Sequence, residues 1–170
     1  GATSETETSR QFQEATQNST GRDPEHVFRG GKITFPRGGE LVIEYPLASI
    51  SASASDDDTN EGSIVARFTY GETSFLLTGD LPREETVLTN ETPVTVLKVA
   101  HHGSKHSSSG AFLDLVQPKE AVFSVGKNSY GHPDSGVMER LRNRGAILHR
   151  TDEEGDIVYR CHSNACIFVR

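Results

Sequence analysis

The alternation that begins at Val94 constrains this chain more than any other feature. Val94–Val99 is a short apolar run. Phe112, Leu113, Leu115 and Val116 follow at helical spacing, and Ala121-Val122-Phe123-Ser124-Val125 is apolar again. Val137, Met138 and Leu141 share a second helical face before Ala146-Ile147-Leu148. Strand, helix, strand, helix, strand in that order predicts an α/β layer arrangement and argues against a helical bundle or an all-β barrel. The punctuation agrees. Ser107-Ser108-Ser109 offers N-caps and Pro118 a stop, while Asp134 or Ser135 offers a second cap and Gly145 a second stop.

Upstream, the period changes to two. Gly30–Phe35 and Gly38–Pro46 flank a Pro36-Arg37-Gly38-Gly39 turn signal. Ser63–Thr69 and Ser74–Thr78 flank Gly71-Glu72-Thr73, so two hairpins are predicted. A short helix is expected near Pro82, with Glu84-Glu85 in its first turn. Ser49–Gly62 reads as a loop whose Asp56-Asp57-Asp58 and Glu61 carboxylates are solvated. Residues 1–30, rich in Ser, Thr, Glu and Gln, read as a flexible or helical lead-in. Gly1-Ala2 without an initiator Met reads as the start of a piece cut from something larger.

Cys161 and Cys166 flank a turn-like His162-Ser163-Asn164-Ala165 between two strand-like runs, so their thiols face each other across a hairpin. A disulfide there implies an oxidising compartment; two reduced, half-buried thiols are the other reading. A zinc site lacks a second ligand pair. The net charge of −7 argues against general affinity for a nucleic-acid backbone. No run approaches the roughly 18 apolar residues of a membrane-spanning helix.

Two segments carry chemistry. Leu76-Leu77-Thr78-Gly79-Asp80 ends an apolar run in a carboxylate, and Leu97-Lys98-Val99-Ala100-His101-His102-Gly103-Ser104 ends one in paired imidazoles. Asp80 after a glycine either projects past the sheet edge to bridge cations or caps a turn. If the strand ran on into His101-His102, the two rings would point to opposite faces, and one of them would serve a site. Ser104 could present a hydroxyl and an amide to an oxyanion.

These two segments, with Ser107-Ser108, Ser124-Val125-Gly126-Lys127-Asn128, Tyr130-Gly131-His132-Pro133 and Arg150-Thr151-Asp152, resemble the metallo-β-lactamase-fold domain of ComEC-type DNA-uptake proteins. They are more loosely similar to the phosphorylcholine esterases. The resemblance runs from Phe75 to Tyr159. It implies that 31–170 is the C-terminal half of a metallo-β-lactamase-like αββα sandwich, a mixed sheet with flanking helices. By the same resemblance Asp80 bridges two divalent ions, zinc or manganese, and His102, or His101, ligates the second. Ser104, Asn128, Tyr130 and His132 would line the phosphate side of a cleft. His132 binds an anion or donates a proton to a leaving oxygen, or else makes only a structural hydrogen bond.

The family's His-x-His-x-Asp-His cluster is absent. His26, His106, His149 and His162 fit no ligand pattern and read as surface or packing residues. The expectation is therefore a hydrolase, a phosphodiesterase or nuclease acting on DNA, when the domain is complete. The chain alone would bind metal weakly or not at all and be inactive, because zinc sites need three or four protein ligands. The rival reading is a non-catalytic DNA-binding or assembly module using the stripe Arg140, Arg142, Arg144 and Arg150. Acidic neighbours dilute that stripe, and no aromatic side chains interleave it.

The implied partners are DNA, the N-terminal half of the domain, and a membrane reached only through the parent protein, on its extracellular or periplasmic face or else in the cytoplasm. Half a sandwich would also expose apolar sheet surface, with Ile64, Phe75 and Val99 in it. Self-association as a homodimer is the predicted consequence. Light scattering at high concentration checks it, and a stable monomer contradicts it.

Overall fold

The structure, a computed structural model, describes residues 7–48 and 60–170. Gly1-Ala2 and the Asp56–Asp58 part of the expected acidic loop lie outside the described residues. Seven strands form one mixed sheet in sequence order: β1 (Lys32–Thr34), β2 (Gly39–Tyr45), β3 (Val65–Tyr70), β4 (Thr73–Leu77), β5 (Val96–Lys98), β6 (Glu120–Phe123) and β7 (Ile147–Arg150). The first three pairings are antiparallel, including both predicted hairpins, and β4 through β7 are parallel. This is the expected α/β class, a mixed sheet with flanking helices.

Parallel neighbours need crossovers, and the two predicted amphipathic segments supply them. Helix α2 (Gly110–Val116) joins β5 to β6, capped by Ser109, whose side chain accepts from Phe112 N. Helix α3 (Ser135–Arg142) joins β6 to β7, capped by Asp134 through Gly136 N and Val137 N. Both lie on one face. There Leu76, Leu97, Ala121 and Phe123 meet Phe112, Leu113, Val116, Val137 and Leu141 in a core from which water is excluded. Burying each such side chain stabilises the fold by about 1.5–3 kcal/mol. Helix α1 (Glu7–Thr20) has no buried residue, and Phe12 on it is exposed.

Beyond β7, the single turn α4 (Thr151–Glu154) leads to the terminal hairpin of β8 (Tyr159–His162) and β9 (Ala165–Phe168), where Cys161 and Cys166 are directly opposed and disulfide-bonded. This hairpin folds over the second face of the sheet. Cys166 N donates to Thr73 Oγ1 at 2.8 Å, and Tyr159 Oη donates to Glu120 Oε2 at 2.7 Å. Ring contacts run from Phe35 through Phe68, Phe75 and Tyr159 to Phe168, which stacks on buried His149 at 4.1 Å. His149 is thus a packing residue as expected, held between Glu120 and Glu154.

The expected exposed set needs correction. Val99 is fully buried within the helix-side core, and Phe75 is half-buried between Phe68 and Tyr159 because the hairpin covers it. Ile64 is exposed, as are Ile33, Phe35, Leu77 and Ile147; register places Ile33, Leu77 and Ile147 on the hairpin-covered face, where the Phe35 ring meets Phe68.

A second difference lies between β4 and β5. In place of a short helix from Pro82 there is one 3-10 turn at Glu84–Thr86, entered through Arg83 in a left-handed conformation. Glu84 is fully buried. Its carboxylate accepts from Ser108 N at 3.0 and 2.8 Å and from Ser108 Oγ at 3.2 Å. The carboxyl group that sequence position assigned to a helix terminus lies inside the protein, holding the loop ahead of α2. Burial raises its pKa to about 7, against the lowering by the Ser108 donors. The unfolded chain therefore releases this proton near pH 4.5 while the folded chain keeps it to about pH 7. Between those values Glu84 makes stability fall as pH rises, by about 3 kcal/mol in total. Urea unfolding at a series of pH values should show Glu84→Gln removing this decline; an unchanged slope would contradict the assignment.

Candidate functional site

Every residue of interest lies at the carboxyl ends of β4–β7, where loops leave neighbouring parallel strands side by side. Ligand crevices of open α/β sheets form at such edges. After β4, Gly79 takes φ +56° and turns Asp80 out of the ladder. Asp80 N donates to Ser63 Oγ at 3.1 Å. Gly79 O accepts from Lys98 Nζ at 2.9 Å and from His101 N at 3.1 Å, so the loops after β4 and β5 are tied together.

The histidine pair is not on a strand. β5 ends at Lys98, and His101 (φ 47°, ψ 44°) and His102 (φ 56°, ψ 20°) both take left-handed conformations within the turn Ala100–Gly103. The expectation of opposed strand faces is therefore overturned, since that alternation applies only to extended backbone. His102 Nδ1 donates to Ser124 O at 2.6 Å, which leaves Nε2 as the free lone pair of the neutral ring, 3.8 Å from Asp80 Oδ1. The His101 ring stands 5.7 Å from that of His132. Gly103 closes the turn at φ +82°, and a Cβ there would lie 2.7 Å from the Phe123 ring and 2.8 Å from Pro133.

Ser104 is also corrected. It is buried, its amide donates to His101 O at 2.9 Å, and its hydroxyl accepts from His106 N, so it completes the turn and does not face an oxyanion. His102 instead borders an open cleft of about 350 Å³ with Ser124–Asn128, Tyr130, His132 and Thr151. Asn128 builds the cleft loop. Its Nδ2 donates to Gly126 O and His132 O, and its Oδ1 accepts from Tyr130 N and His132 N, all within 3.1 Å. Thr151 Oγ1 donates to Val125 O at 2.7 Å and accepts from Val125 N, fastening the loop to β7.

Two cations at the site carried no assigned role in the sequence. Lys98 Nζ is 3.8 Å from Asp80 Oδ1; burial lowers its pKa and Asp80 opposes that shift. Lys127 lines the cleft. Burial and the neighbouring His101 and His102 rings lower the His132 pKa, and Asp134 opposes that shift. The arginine stripe, by contrast, is largely engaged within the protein. Arg140 donates to Ser107 O and Ser108 O, Arg144 pairs with Asp114, and Arg150 pairs with Asp152 and Glu153.

Asp80 and His102 are two converging donors, whereas a stable zinc site takes three or four protein ligands. Among the described residues no group of three or more His, Cys, Asp or Glu side chains could hold a metal. Lys98 already stands beside the carboxylate. The residues present do not by themselves fit a metal ion.

No family model matches the chain. ComE operon protein 3 of Bacillus subtilis is 42% identical over 131 residues, and competence protein ComA of Neisseria gonorrhoeae is 41% identical over 108. Recombination protein 2 of Haemophilus influenzae is 36% identical over 101. This segment is homologous to the ComEC-type competence proteins. The matches cover 73%, 60% and 58% of this chain, which itself spans only 17%, 16% and 13% of those relatives' lengths. Among solved structures, the CmlA beta-hydroxylase E377D mutant overlaps 76% of the segment and 32% of its own chain, at 12% identity and a TM-score of 0.47. That likeness is too slight to bear on the site.

Gly103 is the position on which the Ala100–Gly103 turn most depends, because it needs both a left-handed backbone and an empty Cβ position. Gly103→Ala should lower stability by about 2 kcal/mol or more in urea unfolding. It should also displace the His102 imidazole signals in NMR spectra. A variant with the original midpoint and spectrum would contradict this reading.

Proposed function

We propose that this segment serves DNA uptake as one half of a metal-dependent phosphodiesterase or nuclease domain, inactive by itself. The carrying observation is the convergence of Asp80 Oδ1 and His102 Nε2, 3.8 Å apart, in a chain 42% identical to a ComE operon protein. Two divalent ions, zinc or manganese, would take these two donors from this segment and the remainder from the N-terminal half of the domain. When bound, they would supply a nucleophile and polarise a phosphodiester. On this reading Lys127 attracts the phosphate, His132 donates a hydrogen bond to its oxygens, and Asn128 and Thr151 keep the cleft loop in shape.

The apolar rim of Ile33, Phe35, Leu77 and Ile147 supports a covering partner on the sheet face opposite the helices. On this reading the N-terminal half takes that place, with a second copy of the segment as its substitute when that half is missing. The Cys161–Cys166 disulfide supports a location on the oxidising, extracellular or periplasmic face of a membrane. Among the described residues no helix is long and apolar enough to cross a membrane, so attachment would be through the parent protein.

The test is reconstitution of the full domain with zinc or manganese on single-stranded DNA and a bis-phenyl phosphodiester. Cleavage is expected, with Asp80→Ala and His102→Ala each lowering kcat/KM on the order of 100-fold or more. A full domain that cleaves neither substrate, or whose cleavage survives both substitutions, would overturn the proposal.

A further inference from the structure

Tyr130 is 82% exposed, the most exposed large hydrophobic side chain among the described residues, yet its backbone is among the best fastened at the site. Its amide donates to Asn128 Oδ1 at 3.0 Å, and the same oxygen accepts from His132 N at 3.1 Å. Asn128 Nδ2 ties both ends of the loop through Gly126 O and His132 O. One side of the phenol ring stacks on the His132 imidazole, with centroids 5.9 Å apart and planes at 21°, and its exposure leaves the other side to solvent. A ring with few rotatable bonds on a stapled loop loses little entropy when something stacks on it.

Resting on the reading of the cleft as a DNA site, we propose that Tyr130, backed by His132, is a stacking platform for one unpaired base of a single strand. The cleft holds the two complements of a nucleotide side by side: an open aromatic face, and Lys127 with the His102 and His132 imidazoles for the adjoining phosphate. Its volume of about 350 Å³ suits one nucleotide better than a duplex. A base within a duplex has both faces covered by its neighbours and cannot use this ring. The net charge of −7 weakens any sequence-independent hold on a duplex backbone, so recognition has to be local. Stacking also tolerates any base, as a platform for strands of arbitrary sequence must.

The experiment uses this chain with thymidylyl-thymidine, deoxyribose 5-phosphate, and oligothymidylate with or without one abasic position. The dinucleotide should move the Tyr130 ring protons upfield, and the sugar phosphate should not. Tyr130→Ala should weaken single-strand binding by about 5- to 100-fold, Tyr130→Phe and Tyr130→Trp should retain it, and annealing the strand into a duplex should remove the dependence on Tyr130. Ring protons that stay in place with millimolar dinucleotide overturn the platform, as does equal binding of intact and fully abasic strands. In the second case, competition by inorganic phosphate would leave the phosphate-binding reading standing, so the two failures are distinct.

Discussion

The parallel register of four short strands is the constraint on which everything else rests. Leu76, Leu97, Ala121 and Leu148 are paired neighbours in one row across β4–β7. Because the strands run the same way, the loops bearing Asp80, His102, Ser124–His132 and Thr151 leave from one edge. The same row faces α2 and α3, so the hydrophobic burial that stabilises the fold also sets the spacing of the site. A slip of one residue in any of these strands would turn a core side chain to the opposite face and separate the loops together.

The turn between β5 and α2 is locally unfavourable. Two non-glycine residues in left-handed conformation, His101 and His102, cost on the order of 1–2 kcal/mol each. Offsetting contacts surround them. Gly79 O accepts His101 N, Ser124 O accepts His102 Nδ1, Gly103 fits under Phe123 and Pro133, and Glu84 holds Ser108 from below. Strain held in this way places two imidazoles on one side of the sheet edge, which an extended strand end would not do.

Much of this was legible in the sequence, because it depends on periodicity and caps. The two hairpins, the caps at Ser109 and Asp134, the placing of Cys161 opposite Cys166 and the α/β order all follow from local patterns, whereas the disulfide itself was left open by them. What is not legible there has a different physical cause. A left-handed turn at His101-His102, the inward Ser104 hydroxyl and the buried Glu84 depend on tertiary partners distant in sequence, which no local period encodes. The same holds for Val99: a run of alternating apolar residues does not say which face will be covered. At the site, His102, Asn128, Tyr130 and His132 border one cleft, with Asp80 beside His102. The roles of Lys98 and Lys127 emerged only from distances and cleft lining.

The site depends on the orientation of one ring. If His102 is fixed by the Ser124 carbonyl, its proton sits on Nδ1 and its Nε2 lone pair faces Asp80. Long-range proton–nitrogen NMR correlation at alkaline pH, where the imidazole is neutral, reads this directly. The prediction is a single Nδ1–H tautomer for His102 that is lost in Gly103→Ala. An Nε2–H tautomer, or one averaged between the two nitrogens, would contradict it.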